Sequence, residues 1–339
     1  STSLITPRDD LPSFFEADEP SDNYQRFLGL CSHEYFHAWW VKTVRPEVFL
    51  QADLSQETYT TLLWVFEGFT SYVDDFMLQK SGVISQDSYL KLLTEQINCY
   101  HQTHGRHLQS VAESSFDAWI KLYRADENTA NAGISYYNKG ALVALCLDLT
   151  LAKHGSRIFD VIKAFYEKAK ANSNHRFGMT DANLDGIMTE FLPSEVWQDF
   201  KANYIDGVAA LPLFERLTEN GINIEQKAND SVWGINYIAE PTGLKVQRVT
   251  RGSQASAAGI SAHDVIVAID GIKASEKWLK ATAKTQAISE EPAVCHVFRR
   301  DELLVLEVPP IDDSHVTPPQ TWQLMTREDA SAAQWLKWK

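Results

Sequence analysis

Apolar residues in the first two-thirds of the chain recur at steps of three and four. The stretches 24–42 (YQRFLGLCSHEYFHAWWVK), 59–80 (YTTLLWVFEGFTSYVDDFMLQK), 86–104 (QDSYLKLLTEQINCYHQTH) and 137–155 (YNKGALVALCLDLTLAKHG) all show it, and this spacing predicts helices with a buried face. Ser85 and Ser194 stand where N-caps belong, and Gly155 where a helix ends. Near residue 228 the texture changes. GLKVQRV, DVIVAIDG, AVCHVFR and LLVLEV are short β-type runs broken by Gly, Ser and Asp, and they stop before Pro309-Pro310. The pattern divides the chain into a helical part, 1–227, a β-rich part, 228–310, and a tail, 311–339. The tail has a Pro-containing connector and a Trp-rich end with a short amphipathic pattern. The expected class is α+β with more than one domain.

Length and composition narrow the function. With 339 residues, 44% hydrophobic and 22% charged, the chain can bury a sizeable core. A net charge of −14 disfavours nucleic acid and anionic membranes as partners, and no apolar run reaches the ~18–20 residues of a membrane span. Cys31, Cys99, Cys146 and Cys295 have no paired spacing. They read as buried free thiols, which favours a reducing, cytoplasmic setting. The start, STSLITPRDDLP, has no initiator Met and no leader pattern. It reads as the cut end of a longer protein, so a periplasmic setting also stays open.

The candidate chemistry lies in residues 31–40, CSHEYFHAWW. On a helix, residues four apart share a face, so His33 and His37 can hold one ion between them. Glu34 sits one step round, placed to touch a water on that ion; these are the mechanics of H-E-x-x-H. The bland alternative is a surface helix with two solvated histidines. Glu67, separated from His37 by 29 intervening residues, lies among Trp64, Phe66, Phe69 and Tyr72. A carboxylate in such company needs a partner, and two histidines plus a glutamate is a hydrolytic zinc set. Asp74, two turns on, can accept from a ligand histidine, although a solvated helix end explains it equally well. Tyr136 and Tyr137 precede Lys-Gly and a helix. A tyrosine hydroxyl can steady an oxyanion, though paired tyrosines more often pack.

Two other clusters are weaker. His101, His104 and His107 fall at three-residue steps around Arg106 and read as a solvated, flexible patch. Asp181, Asn183, Asp185 and Gly186 match the first half of a calcium loop. Leu192 stands where a bidentate Glu belongs, so a helix-capping turn is the better reading.

The stretches HEYFHAWWVKTVRP, LWVFEGFTSY, GRHLQSVAESSFDAWIKLYR and SYYNKGALVALCLDL, in this order, resemble the glycyl aminopeptidase family. That family belongs to the gluzincin metallopeptidases, with aminopeptidase N and thermolysin. The resemblance runs from residue 1 to about residue 310. It implies a mainly helical, thermolysin-like catalytic domain and one Zn2+ held by His33, His37 and Glu67. It implies Glu34 as general base and Tyr137, not Tyr136, as the oxyanion donor. The implied substrates are peptides that lose small N-terminal residues such as Gly and Ala. Two departures stand out. Trp40 replaces the family's usual Asn. The Gly-Gly-x-Glu-His stretch that precedes Ser-Thr-Ser-Leu in the family is absent, as is the N-terminal β-rich domain. In related aminopeptidases the equivalent stretch holds the substrate's amine.

Residues 229–310 resemble a PDZ domain. Val232-Trp233-Gly234-Ile235 looks like the carboxylate-binding loop, so Trp233, Gly234 and Ile235 would face a peptide C-terminus, flanked by the helix in SEKWLKATAKTQ. Two alternatives stay open. One is a peptide-binding scaffold with a structural or relic zinc. The other is a zinc endopeptidase.

Overall fold

In a computed structural model of the protein, residues 3–12, 20–227, 232–310, 312, 321–327 and 336 are described. Helix α1 (Asp22–Phe36) starts at Ser21, whose hydroxyl accepts from the Tyr24 amide. It stops six residues short of the expected end, with His37 as its C-cap. The chain turns there to bury Trp40 completely, its indole N–H donating to Val65 O at 2.8 Å. It continues into strand β1 (Val44–Pro46). The next segment is not one continuous helix either. Residues 64–68 form a π-helical turn, and α2 (Phe69–Lys80) follows it.

Helix α3 (Gln86–Gln102) is capped by Ser85, as the sequence predicts. Short α4 (Val111–Phe116) and α5 (Thr129–Ala132) lead to α6 (Asn138–Lys153), whose residues 139–151 are all buried. Gly155 follows with φ +80°, a value that only glycine adopts without strain. Helices α7 (Ile158–Ala171) and α10 (Leu213–Glu219) pack on α6, α8 (Asp181–Phe191) packs on α7 and α9 (Ser194–Phe200) on α8, and β2 (Phe177–Met179) pairs with β1 in parallel. Ser194 is not the N-cap of α9. Pro193 takes that position in an extended conformation, and the Ser194 hydroxyl accepts instead from the Gln198 side chain.

Strand β3 (Ile222–Lys227) ends the helical part. The β-rich part follows as β4 (Ile235–Glu240), β5 (Gly243–Val249), α11 (Gln254–Ala257), β6 (Val265–Ile269), β7 (Ile272–Lys273), α12 (Glu276–Ser289), β8 (Ala293–Arg299) and β9 (Glu302–Val308). The strands form one antiparallel sheet in the order β4-β5-β6-β8-β9, with β7 on β6. Leu279 of α12 fills a core of its own, made with Val246, Ile266, Cys295 and Val297. Strand β10 (Thr321–Thr326) returns to the helical part and pairs antiparallel with β3. There Trp322 packs on Phe214, and Leu324 and Leu336 join the helical core. The rest of the tail's amphipathic pattern lies outside the described residues. All four cysteines are unpaired. Among the described residues, no helix is long and apolar enough to cross a membrane.

Among the described residues, the β-rich unit meets the helical body at Asn131 and where His263 Nε2 lies 3.8 Å from Glu127 Oε1. Asn131 Nδ2 donates to Val249 O at 2.8 Å, and its Oδ1 accepts from the Arg251 amide at 2.9 Å.

One buried charge knits the helical core. Asp148 on α6 is fully buried. It accepts from the Tyr72 hydroxyl at 2.7 Å, from Arg157 Nε at 2.8 Å and from the Ile158 amide at 2.8 Å. It thereby joins α2, α6 and the start of α7. Asp148→Ala leaves the Arg157 guanidinium, a hydroxyl and an amide without their acceptor. A loss of about 3–5 kcal/mol is expected, read from the midpoint of a urea titration; an unchanged midpoint would refute this role.

Candidate metal centre

His33 and His37 project from the end of α1 toward the π-helical turn, which presents Glu67. Glu67 Oε2 lies 3.2 Å from His33 Nε2 and 3.3 Å from His37 Nε2. One ligand atom from each of the three residues can be chosen so that all lie within 4.8 Å of one another. Asp74 on α2 stands behind His33, its Oδ2 2.9 Å from Nδ1. A neutral His33 that donates through Nδ1 presents its lone pair at Nε2, toward Glu67. Two imidazoles and a carboxylate converging from partly buried positions are a donor set that fits a divalent cation such as zinc. His37 Nδ1, by contrast, is buried with no hydrogen-bond partner among the described residues.

The electrostatics follow from this crowding. Burial alone would lower the pKa of His33, but the hydrogen bonds and charges of Asp74 and Glu67 outweigh it and push it up to about 9. Burial would raise Glu67, yet the two histidines draw it down to about 2. Burial holds the Tyr137 hydroxyl far above its ordinary range, with the Glu67 charge adding to the effect, so it stays a donor.

Glu34 and Tyr137 line the same cavity as His33, His37, Glu67 and Asp74, a space of about 360 Å³. Tyr136 does not line it. It is buried behind Tyr137, the two rings stacked 4.7 Å apart. Close backbone approach brings Tyr137 to the cavity. A Cβ on Gly68 would lie 2.6 Å from Gly140 Cα, and one on Gly140 would lie 2.9 Å from Gly68 Cα. The π-helical turn and the start of α6 therefore cross backbone to backbone. Trp40 lies outside the cavity and stacks on Phe69, 5.9 Å between centroids.

Sequence reasoning missed Tyr123, whose hydroxyl lies 3.2 Å from that of Tyr136 and 3.1 Å from that of Tyr137. No local spacing marks it, because the three meet only through the fold. The other candidate clusters do not assemble. His101 is not solvated; it stacks on Phe214, and burial with the Arg106 charge lowers its pKa to about 4. His33, His37 and Glu67 are the one group of three metal-type side chains found among the described residues. Asp181–Phe191 is helical rather than a calcium loop, with Thr180 and Asn183 forming a capping box and Asp185 bound to Lys201. In the β-rich unit, Trp233 (φ +58°) and Gly234 (φ +75°) enter edge strand β4. The Trp233 indole is buried against α12 and donates to Gln286 Oε1, while the Ile235 amide donates to Val232 O.

Comparison with known proteins defines the class. Residues 26–143 match the sequence model of the M61 glycyl aminopeptidase family. The crystal structure of an aminopeptidase N family protein from Idiomarina loihiensis superposes with a TM-score of 0.86 at 35% identity, covering 98% of this chain and 58% of that one. The family matched is one of peptidases. The chain belongs to the M61 glycyl aminopeptidase family, and it spans a little over half the length of the relative from Idiomarina loihiensis. The HtrA3 PDZ domain, solved with a phage-derived ligand, matches at 18% identity over 31% of this chain and 92% of that one; its TM-score of 0.19 carries no argument. No curated protein matches.

Two residues beyond Tyr137, Lys139 is 1% exposed, and its Nζ has no partner among the described residues. Burial lowers its pKa from 10.5 to about 8, against a smaller opposing pull from Glu113. Between about pH 8 and 10.5 the unfolded chain binds the proton and the folded chain does not, so stability contributed by this residue rises with pH there. Lys139→Met should stabilise the protein at pH 7 by up to about 3 kcal/mol. That gain should fade as pH rises from 8 to 10.5, read from thermal midpoints across the range. A gain independent of pH would show that packing, not charge, decides the effect.

Proposed function

We propose that this chain carries the catalytic centre of a zinc-dependent aminopeptidase that releases small N-terminal residues, Gly or Ala, from peptides. The observation that carries the reading is the convergence of His33, His37 and Glu67 on one cavity whose walls also include Glu34 and Tyr137. Residues 1–227 would then form a thermolysin-like catalytic domain.

Zinc bound by His33, His37 and Glu67 would polarise the scissile carbonyl and lower the pKa of a bound water to ~7. The Glu34 carboxylate takes a proton from the attacking water and later delivers it to the leaving amine. The Tyr137 hydroxyl, held protonated by burial, donates to the oxygen on which negative charge develops. Asp74 fixes the His33 ring so that its Nε2 faces the centre. The preference for Gly and Ala rests on the family likeness. In the same reading, residues 228–310 form a PDZ-like unit, with edge strand β4 open to strand addition by a peptide.

Glu34→Gln separates binding from chemistry. The variant should keep about one zinc per chain by elemental analysis, while kcat on a glycyl-anilide falls at least ~100-fold; His37→Ala should lose the metal. Wild-type turnover in Glu34→Gln would refute the mechanism. Cleavage of N-acetylated peptides as fast as free ones would replace the aminopeptidase reading with an endopeptidase.

A further inference from the structure

A second cavity, of about 530 Å³, adjoins the candidate centre. Its walls come from segments far apart in sequence: Phe49, Ala52 and Leu54 after β1, Leu63 before the π-helical turn, and Trp119 and Tyr123 after α4. Two features tie it to the chemistry. Glu67, one of the three converging side chains, lines both cavities. Tyr123, on the wall of the second, bonds through its hydroxyl to Tyr137, on the wall of the first.

Most of the exposed lining is apolar and open to solvent, with Arg45, Gln56 and Thr58 as polar neighbours. Leu54 is fully exposed, and Trp119 and Tyr123 are 42% and 59% exposed. Large apolar groups left in water around a concavity mark a place where an apolar group binds. Among its carboxylates, Asp53 is held by the Ser55 amide and hydroxyl, and Glu67 faces the histidines. The space lies in the size range of small-molecule sites, larger than a glycine or alanine side chain needs.

Building on the peptidase reading, we propose that this cavity is a specificity subsite for a bulky apolar side chain, aromatic or long aliphatic, on a residue flanking the scissile bond. Small residues would then be favoured on one side of that bond only. Trp119 forms one wall, and Ala52 leaves the room.

Binding without turnover tests this. In the Glu34→Gln background, titration calorimetry with Gly-Gly-amide, Gly-Phe-amide and Phe-Gly-amide compares the two flanking positions directly. One of the Phe peptides should bind at least about tenfold more tightly than Gly-Gly-amide. Trp119→Ala, which removes a wall, and Ala52→Trp, which fills the space, should each cut that preference to less than about threefold. Both positions are solvent-accessible, so the fold should tolerate either change. Equal affinity for the three peptides, no measurable binding, or a preference that survives both substitutions would overturn the subsite. None of these outcomes touches the peptidase reading, which stands or falls on wild-type turnover.

Discussion

Where the π-helical turn at 64–68 crosses the start of α6, there is no room for a side chain on either backbone. Gly68 and Gly140 meet there, and a Cβ on either would come within 3.0 Å of the other's backbone. Everything at the candidate centre is referred to this crossing. Glu67 immediately precedes one glycine, and Tyr137 lies one turn before the other. The separation of the two backbones that carry Glu67 and Tyr137 is thus set by main-chain contact. The crossing is braced from both sides. The Trp64 amide donates to Ser115 Oγ at 2.9 Å, and further along α6 the buried Asp148 ties that helix to α2 and α7. Helix packing with a glycine at the contact gives the closest interaxial approach available, and the cost is a position at which even alanine must displace backbone.

Much of this was legible in the sequence, for identifiable reasons. The i, i+4 spacing of His33 and His37 fixes their relation locally, so it can be read without a fold. The four β-runs from 243 to 308 announced themselves by composition and became β5, β6, β8 and β9. What could not be read depends on neighbours. The π-helical turn has the same apolar spacing as an α-helix, and only its packing against α6 reveals it. Helix α1 looks as though it should run on through Trp40, but burying that indole ends it at Phe36. Tyr123 lies 13 and 14 residues before its two hydroxyl partners. Strand β10 had no alternating pattern strong enough to predict it, because its stability comes from β3 and from Trp322 packing on Phe214.

The segment between α4 and α6 links the two units. Its near end supplies Trp119 and Tyr123 to the apolar cavity, and its far end supplies Asn131, which holds the main chain of β5 and the turn after it. Both hydrogen bonds that Asn131 makes to the β-rich unit go to backbone groups, and beside them His263 faces Glu127 of the same segment. A shift of that unit would pull on the same loop that forms the cavity wall. The β-rich unit is therefore placed to bear on the site without contributing any residue to it.

The two histidines are not equivalent, although the motif makes them look so. His33 is oriented by the partly buried Asp74 carboxylate at its Nδ1, which fixes the ring with Nε2 toward Glu67. His37 has no such partner at Nδ1 and sits at the C-cap of α1, where the helix has already ended. Its ring stands edge-on to His33, with centroids 4.7 Å apart, and its one carboxylate contact is through Nε2, 3.3 Å from Glu67 Oε2. An imidazole with one carboxylate contact is less constrained than His33, which has two. The rigid half of the site is thus His33 with Asp74, and the adaptable half is His37. Glu67 stands between them on a backbone that the glycine crossing does not allow to move.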